Sequence, residues 1–124
     1  MSPSPARFRS TIAAVVDQPD DLRELRRLHK VLADVNRLRI VRRLADGPAT
    51  VTELIDHVGL SQPLVSWHLW KLREVGLVSA RRNGREIVHT IVPEAFAEFA
   101  RREARVLGLD AAAATVAAAD GPVS

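Results

Sequence analysis

Apolar side chains recur at helical spacing along most of this chain and switch to strand-like runs only once. Leu22, Leu25, Leu28 and Leu32, with Val31 beside them, follow at steps of three and four, the stripe of an amphipathic helix. Ahead of it, residues 6–16 have helical character. That ends at Asp17-Gln-Pro-Asp20, where Pro19 interrupts and Asp20 or Asp21 can cap the next helix. Asn36 is expected to cap a helix through Leu44 that turns Leu38, Val41 and Leu44 inward with Ile40 beside them; Asp46-Gly-Pro closes it. Thr50 or Thr52 starts a short helix ending at Gly59. Ser61 caps another that tolerates Pro63 in its first turn and ends near Val75 and Gly76.

The pattern changes after Gly76. Residues 77–80 and 86–92 are expected as strands, joined through Arg81-Arg-Asn-Gly-Arg85, where Asn83-Gly84 is a strong hairpin signal. Pro93 begins a final helix whose Phe96, Phe99, Ala100, Val106 and Leu107 form a candidate packing stripe. The expected organisation is a mainly α winged helix-turn-helix with a two-stranded hairpin, over residues 20–109. Residues 1–19 form an extension with a short helix, and 110–124 an Ala-rich tail expected to be disordered. No internal repeat is evident.

On a helical wheel of about 100° per residue, Val65, Leu69, Leu72 and Gly76 fall on one narrow arc of the helix after Ser61. Opposite lie Pro63, Trp67, Trp70 and Glu74, flanked by Ser66 and Lys71, with Gln62 at the leading end. Gln and Ser can meet base edges, Lys can reach phosphate, and a helix N-terminus favours an anionic oxygen. Two exposed indoles on an idle surface would be costly, so Trp67 and Trp70 suggest a contact face; the alternative is that they pack on the wing or on a neighbouring subunit. His68, at the margin of the buried arc, is expected to be a hydrogen-bonded structural residue, and Ser61 chiefly a cap.

Composition sharpens this picture. The chain has 124 residues, enough for one modest core but short for an enzyme with an enclosed pocket. Its net charge is only +3, yet residues 20–44 hold eight Lys/Arg against four Asp/Glu, and Arg81, Arg82 and Arg85 add to them. Concentrated positive charge is the footprint of a polyanion binder. The lack of Cys excludes disulfides, thiolate metal sites and a Cys nucleophile. Without an apolar run near 18 residues or a signal-peptide core, the chain is expected to be soluble, cytoplasmic and free of membrane contact.

Leu32-Ala-Asp34, Arg37-Leu-Arg-Ile40, Leu60-Ser-Gln-Pro63, Val65-Ser-Trp-His-Leu69 and Leu72-Arg-Glu-Val-Gly-Leu-Val78 together resemble the ArsR/SmtB family of bacterial metalloregulators. The resemblance spans residues 22–107, and the Val-Ser-x-His-Leu-x-x-Leu spacing is its most specific part. It implies a homodimer paired through its first and last helices, bound to a palindromic operator and repressing until an inducer, usually a metal ion such as nickel or zinc, lowers its DNA affinity. The DNA contacts it implies are Ser61, Gln62, Pro63, Ser66, Trp67, Trp70 and Lys71 from the helix, with Arg81, Arg82, Asn83 and Arg85 from the wing. Leu22, Leu25, Leu28, Phe96 and Phe99 are the expected dimer contacts. Leu64 departs from the small polar residue frequent at its position in the family.

The family's metal sites are not matched. The thiolate site needs Cys-x-Cys where this chain has Glu53-Leu-Ile-Asp-His57. The C-terminal site needs His on the last helix, which offers only Glu94, Glu98 and Glu103. Carboxylates alone hold transition metals weakly. His29, His57, His68 and His89 fall on four elements, and His89 with Glu94 or Glu98 is the best remaining combination; scattered exposed histidines explain the pattern better. No metal ligand is therefore assigned, and the resident cofactor is unknown. Sensing through a separate partner protein fits these absences. Catalysis is not expected, because no His-Glu-x-x-His, Gly-rich phosphate loop or Gly-x-Ser-x-Gly is present. A winged-helix protein-interaction module without DNA binding is the competing reading, and the basic wing argues against it.

Overall fold

A computed structural model describes residues 19–110. The first-helix expectation at 6–16 and the disordered-tail expectation lie outside the described residues, the tail from residue 111 onward. The elements are α1 (Pro19–Leu32), α2 (Val35–Ala45), β1 (Ala49–Thr50), α3 (Val51–Val58), α4 (Gln62–Glu74), β2 (Val78–Asn83), β3 (Glu86–Ile91) and α5 (Pro93–Val106). Residues 27–97 form one compact unit, and the described parts of 1–26 and 98–124 belong to a second.

Helix starts account for most differences from expectation. α1 begins on Pro19 itself, so Asp20 and Asp21 lie in the first turn rather than capping it, where their charge suits the helix dipole. α2 is capped by Asp34, not Asn36: the Asp34 side chain accepts the Arg37 backbone N–H at 3.1 Å. Leu38 is exposed, not inward. It sits about 160° around the helix from Ile40, and Ile40 and Leu44 carry the buried face. For α3 the cap is Thr50, in a reciprocal capping box with Glu53.

The sheet has three strands in the order β1-β3-β2, all antiparallel, where two were expected. β1 escaped because it contributes only Ala49 and Thr50, opposite His89 and Val88. β2 also runs further than expected, through Arg81, Arg82 and Asn83, and Asn83 pairs with Glu86. The turn is therefore Gly84-Arg85. Gly84 has φ of 67° and no non-Gly residue among those described has positive φ, the pattern of a type II′ turn rather than a type I′ turn centred on Asn-Gly. Leu77 precedes the strand and is buried.

The core of the larger unit is aliphatic: Val31, Ile40, Leu44, Leu54, Val58, Val65, Leu69, Leu72, Leu77 and Val78, with Ala49. It lies between α2, α3, α4 and the sheet, and fixes which face of α4 points out. On α5, Phe99 is buried and Phe96 and Val106 partly so, while Ala100 and Leu107 are exposed. Ala100 lies about 100° from Phe99, and Leu107 lies just past the end of α5.

Candidate nucleic-acid interface

α3, the turn Gly59-Leu60-Ser61 and α4 form a helix-turn-helix, and three arginines of α2 hold it in place. Arg37 Nε donates to His68 Nδ1 at 3.1 Å, and its Nη1 donates to the Val31 carbonyl at 2.8 Å. Arg39 donates to the carbonyls of His57 (3.2 Å) and Val58 (3.1 Å), which lack partners within the helix at the end of α3. Arg43 donates to the Gly47 carbonyl (3.0 Å) and to Glu53 (3.3 Å), the capping-box carboxylate of α3. Arg27 of α1 pairs with Glu74 at 2.8 Å. Four of the eight basic residues counted between 20 and 44 thus serve the fold. A run of charges in sequence does not distinguish a solvated arginine from one bonded to carbonyls.

His68, only 8% exposed, is the structural residue expected: accepting at Nδ1, it carries its ring proton on Nε2. Asp34 completes this node. Burial alone would raise its carboxyl, but the Arg37 N–H, the Arg37 charge and the Asn36 N–H outweigh burial and hold it below the ordinary carboxylate value.

The outward face of α4 agrees with the wheel. Gln62, Pro63, Leu64, Ser66, Trp67 and Trp70 are exposed, while Val65, Leu69 and Leu72 are buried. Ser61 sits at the N-cap with extended backbone but its side chain makes no capping bond, contrary to expectation. Its hydroxyl is free for another acceptor or donor. Trp67 and Trp70, 48% and 45% exposed, stack on each other with centroids 5.3 Å apart and planes at 24°. Lys71 Nζ lies 5.0 Å from the Trp67 ring centroid and 5.7 Å from that of Trp70. Arg81, Arg82, Asn83 and Arg85 are all exposed on the hairpin. Thr50, Val51, Thr52, Arg85, Glu86 and Ile87 line a shallow groove between the start of α3 and the hairpin tip.

The histidines do not converge. His89 is 3% exposed, so the expectation of a scattered exposed histidine fails there. It sits on the central strand, paired with Ala49 and Ala80, and α2 and α3 pack against that strand. Burial, then the nearby Arg73 charge, holds its imidazole below the ordinary value, and Nδ1 has no partner. Among the described residues no three His, Cys, Asp or Glu side chains are placed to hold a metal ion, His89 with Glu94 or Glu98 included. Of the expected dimer contacts, Leu25, Leu28 and Phe99 are already buried within the chain, Phe96 partly so, and Leu22 is 44% exposed. No helix among the described residues is long and apolar enough to cross a membrane.

Comparison with known proteins decides the family. Residues 34–80 match the bacterial regulatory protein, arsR family. The chain is 35% identical over 113 residues to a probable mercury resistance operon repressor of Streptomyces lividans, covering 91% of this chain and 87% of the relative. The chain belongs to the ArsR family. It is also 42% identical over 62 residues to the regulator NmtR of Mycobacterium tuberculosis, about half of each chain (50% and 52%). Among solved structures, the repressor BigR from Xylella fastidiosa superposes with a TM-score of 0.56 at 32% identity, over 68% of this chain and 88% of that one. An ArsR-like regulator from Rhodococcus superposes with a TM-score of 0.65 over 82% and 97%, and at 23% identity it supports the fold alone. As an ArsR-family member the chain is a transcriptional regulator of the winged helix-turn-helix type and not an enzyme.

Proposed function

We propose that this regulator is a homodimeric repressor that places α4 of each protomer in successive major grooves of a palindromic operator. The observation that carries the reading is the pairing of an exposed, uncharged, hydrogen-bonding face on α4 with an exposed arginine hairpin in the same compact unit. Gln62 and Ser66 are the base readers, and Trp67 and Trp70 add apolar contact from the same face, with Pro63 at the leading turn. The free Ser61 hydroxyl and the α4 N-terminus take a phosphate, and Lys71 lies further along the same helix. Arg81, Arg82, Asn83 and Arg85 grip the adjoining backbone. Pairing through α1 and α5 supplies the two-fold axis that a palindrome requires, with Leu22 as its exposed apolar contact, while Leu25, Leu28 and Phe99 are buried and Phe96 partly so. Such a protein works in the cytoplasm, on promoter DNA.

The inducer acts from outside any single-chain metal site. A chain without Cys has no thiolate for a soft ion such as that named for the Streptomyces relative, and its described carboxylates and histidines do not cluster. A separate sensory protein or a ligand shared between protomers fits this arrangement. The test is selection from a random duplex pool, followed by titration of the enriched site with and without Ni(II), Zn(II), Co(II), Cu(I) and Hg(II). Enrichment of an inverted repeat supports the reading, and enrichment of nothing rejects it. A metal that releases DNA in the absence of any other protein rejects the separate sensory protein and leaves a ligand shared between protomers.

A further inference from the structure

We propose that α4 is a thymine reader: Leu64, Trp67 and Trp70 form a hydrophobic row that recognises the C5-methyl groups of A·T base pairs, and Gln62 reads the adenine edge beside them. The inference rests on the groove placement proposed above and specifies the chemistry of the site it takes.

The argument begins from which side chains the face contains. Guanine is read in the major groove by Arg or Lys at N7 and O6, cytosine by a carboxylate at N4, adenine by Asn or Gln at N6 and N7, and thymine by apolar contact with its methyl. From Gln62 to Trp70 there is no Arg, Lys, Asp or Glu, and the one titratable residue, His68, is buried against Arg37. Neither guanine nor cytosine has its usual reader. The next cation, Lys71, has its ammonium over both indoles rather than extended from the face. Glu74 is held by Arg27. What remains exposed is one amide, one hydroxyl, Pro63 and the apolar row.

The row is also built for contact. Leu64, Trp67 and Trp70 follow at steps of three, so each neighbours the next on the helix surface, and all three are close to half exposed. The stacked indoles and the Lys71 ammonium limit one another's rotamers, which lowers the entropy lost when a surface closes over them. Arginines 81, 82 and 85 are exposed on the hairpin of the same unit. A second copy of the chain would bring like charge to that side, whereas phosphates flanking a thymine methyl bring the opposite charge.

The test uses the full chain and the site enriched from random duplex, resynthesised with deoxyuridine in place of thymidine one position at a time. Half-sites should be A·T-rich at the pairs under α4. Removing each contacted methyl should weaken binding about fourfold, the equivalent of about 0.8 kcal/mol for one buried carbon. That penalty should disappear in Trp67→Ala or Trp70→Ala at the methyl each indole contacts, as a double-mutant cycle detects. Three results would overturn the inference: G·C pairs under α4, a deoxyuridine penalty absent in the parent, or one that persists in both variants. Reduced sedimenting mass in either variant would overturn it too, by assigning the indoles to a protein interface. Enrichment of no sequence would overturn the groove placement itself, a failure distinct from enrichment of a site that lacks thymine.

Discussion

Gln62, proposed above as a base reader, and Asp34, which supports the fold, are two single side chains with separable tests. Gln62 is exposed in the first turn of α4, uncharged and able both to donate and to accept. Gln62→Ala is expected to cost about 1–3 kcal/mol on the enriched operator and far less on random DNA, with the dependence on salt unchanged because no counterion is released through an amide. Equal losses on both DNAs, in parallel titrations, would mean that the outward face is assigned wrongly. Asp34 works at a distance, capping α2 and ion-pairing with Arg37, the arginine that holds His68. Asp34→Ala should lower unfolding stability by about 1 kcal/mol, the usual worth of an N-cap. Its carboxyl is held below its ordinary value in the fold, so its ionic contribution is complete above the unfolded value of about 3.9 and is lost as pH falls through the lower folded value. Asp34→Asn keeps a capping oxygen but should flatten that acid limb in urea midpoints taken across low pH.

Two properties belong to whole elements, and both concern the hairpin. Arg82 projects from β2 and Arg85 from the Gly84-Arg85 turn, each exposed and in a position to follow a phosphate backbone. Arg82→Ala or Arg85→Ala should weaken binding to every sequence. Each should also reduce the slope of log K against log salt by about 1 for each phosphate that the variant no longer neutralises. Unchanged affinity and slope in binding titrations at several salt concentrations would remove the hairpin from the interface. The sheet itself is pH-sensitive through His89, buried on its central strand with its imidazole depressed by burial and by Arg73. The folded chain keeps His89 neutral where the unfolded chain protonates it. Stability from this group is therefore full above the ordinary imidazole value of about 6.5 and falls as pH drops below it. Chemical denaturation at pH 7.5 and 5.5 should show a smaller loss at the lower pH in His89→Leu than in the parent.

For the whole molecule the decisive quantity is mass in solution. One protomer is 13.6 kDa, and Leu22, Leu107 and Leu109 remain exposed on the unit that holds the described ends of the chain. Sedimentation at micromolar concentration should give twice the protomer mass, and Leu22→Glu should shift it toward the monomer while weakening operator binding. A single species at the protomer mass would contradict dimeric binding. Two copies on a palindrome also demand half-sites about one helical turn, roughly 34 Å, apart, which the enriched sequence reports directly.

The order of elements, the turn into α4, its buried and outward arcs and the presence of a basic hairpin were all legible in the sequence. They follow from local rules: helical periodicity, capping residues and glycine after helix ends, as at Gly76 with φ of 80°. The family resemblance rested on the same stretch that matches the family at residues 34–80. What the periodicity left open depended on partners distant in sequence. β1 is too short to carry a pattern and exists because β3 pairs with it. Arg37, Arg39 and Arg43 count as surface charge until the fold brings His68, the end of α3 and Glu53 within reach. His89 looks like a surface residue until α2 and α3 pack against its strand. Local sequence determines which segments are helical and largely which faces are apolar, because those depend on neighbours within a turn or two. Whether a charged or titratable side chain meets water or a carbonyl depends on what packs against it, and only the tertiary structure decides that.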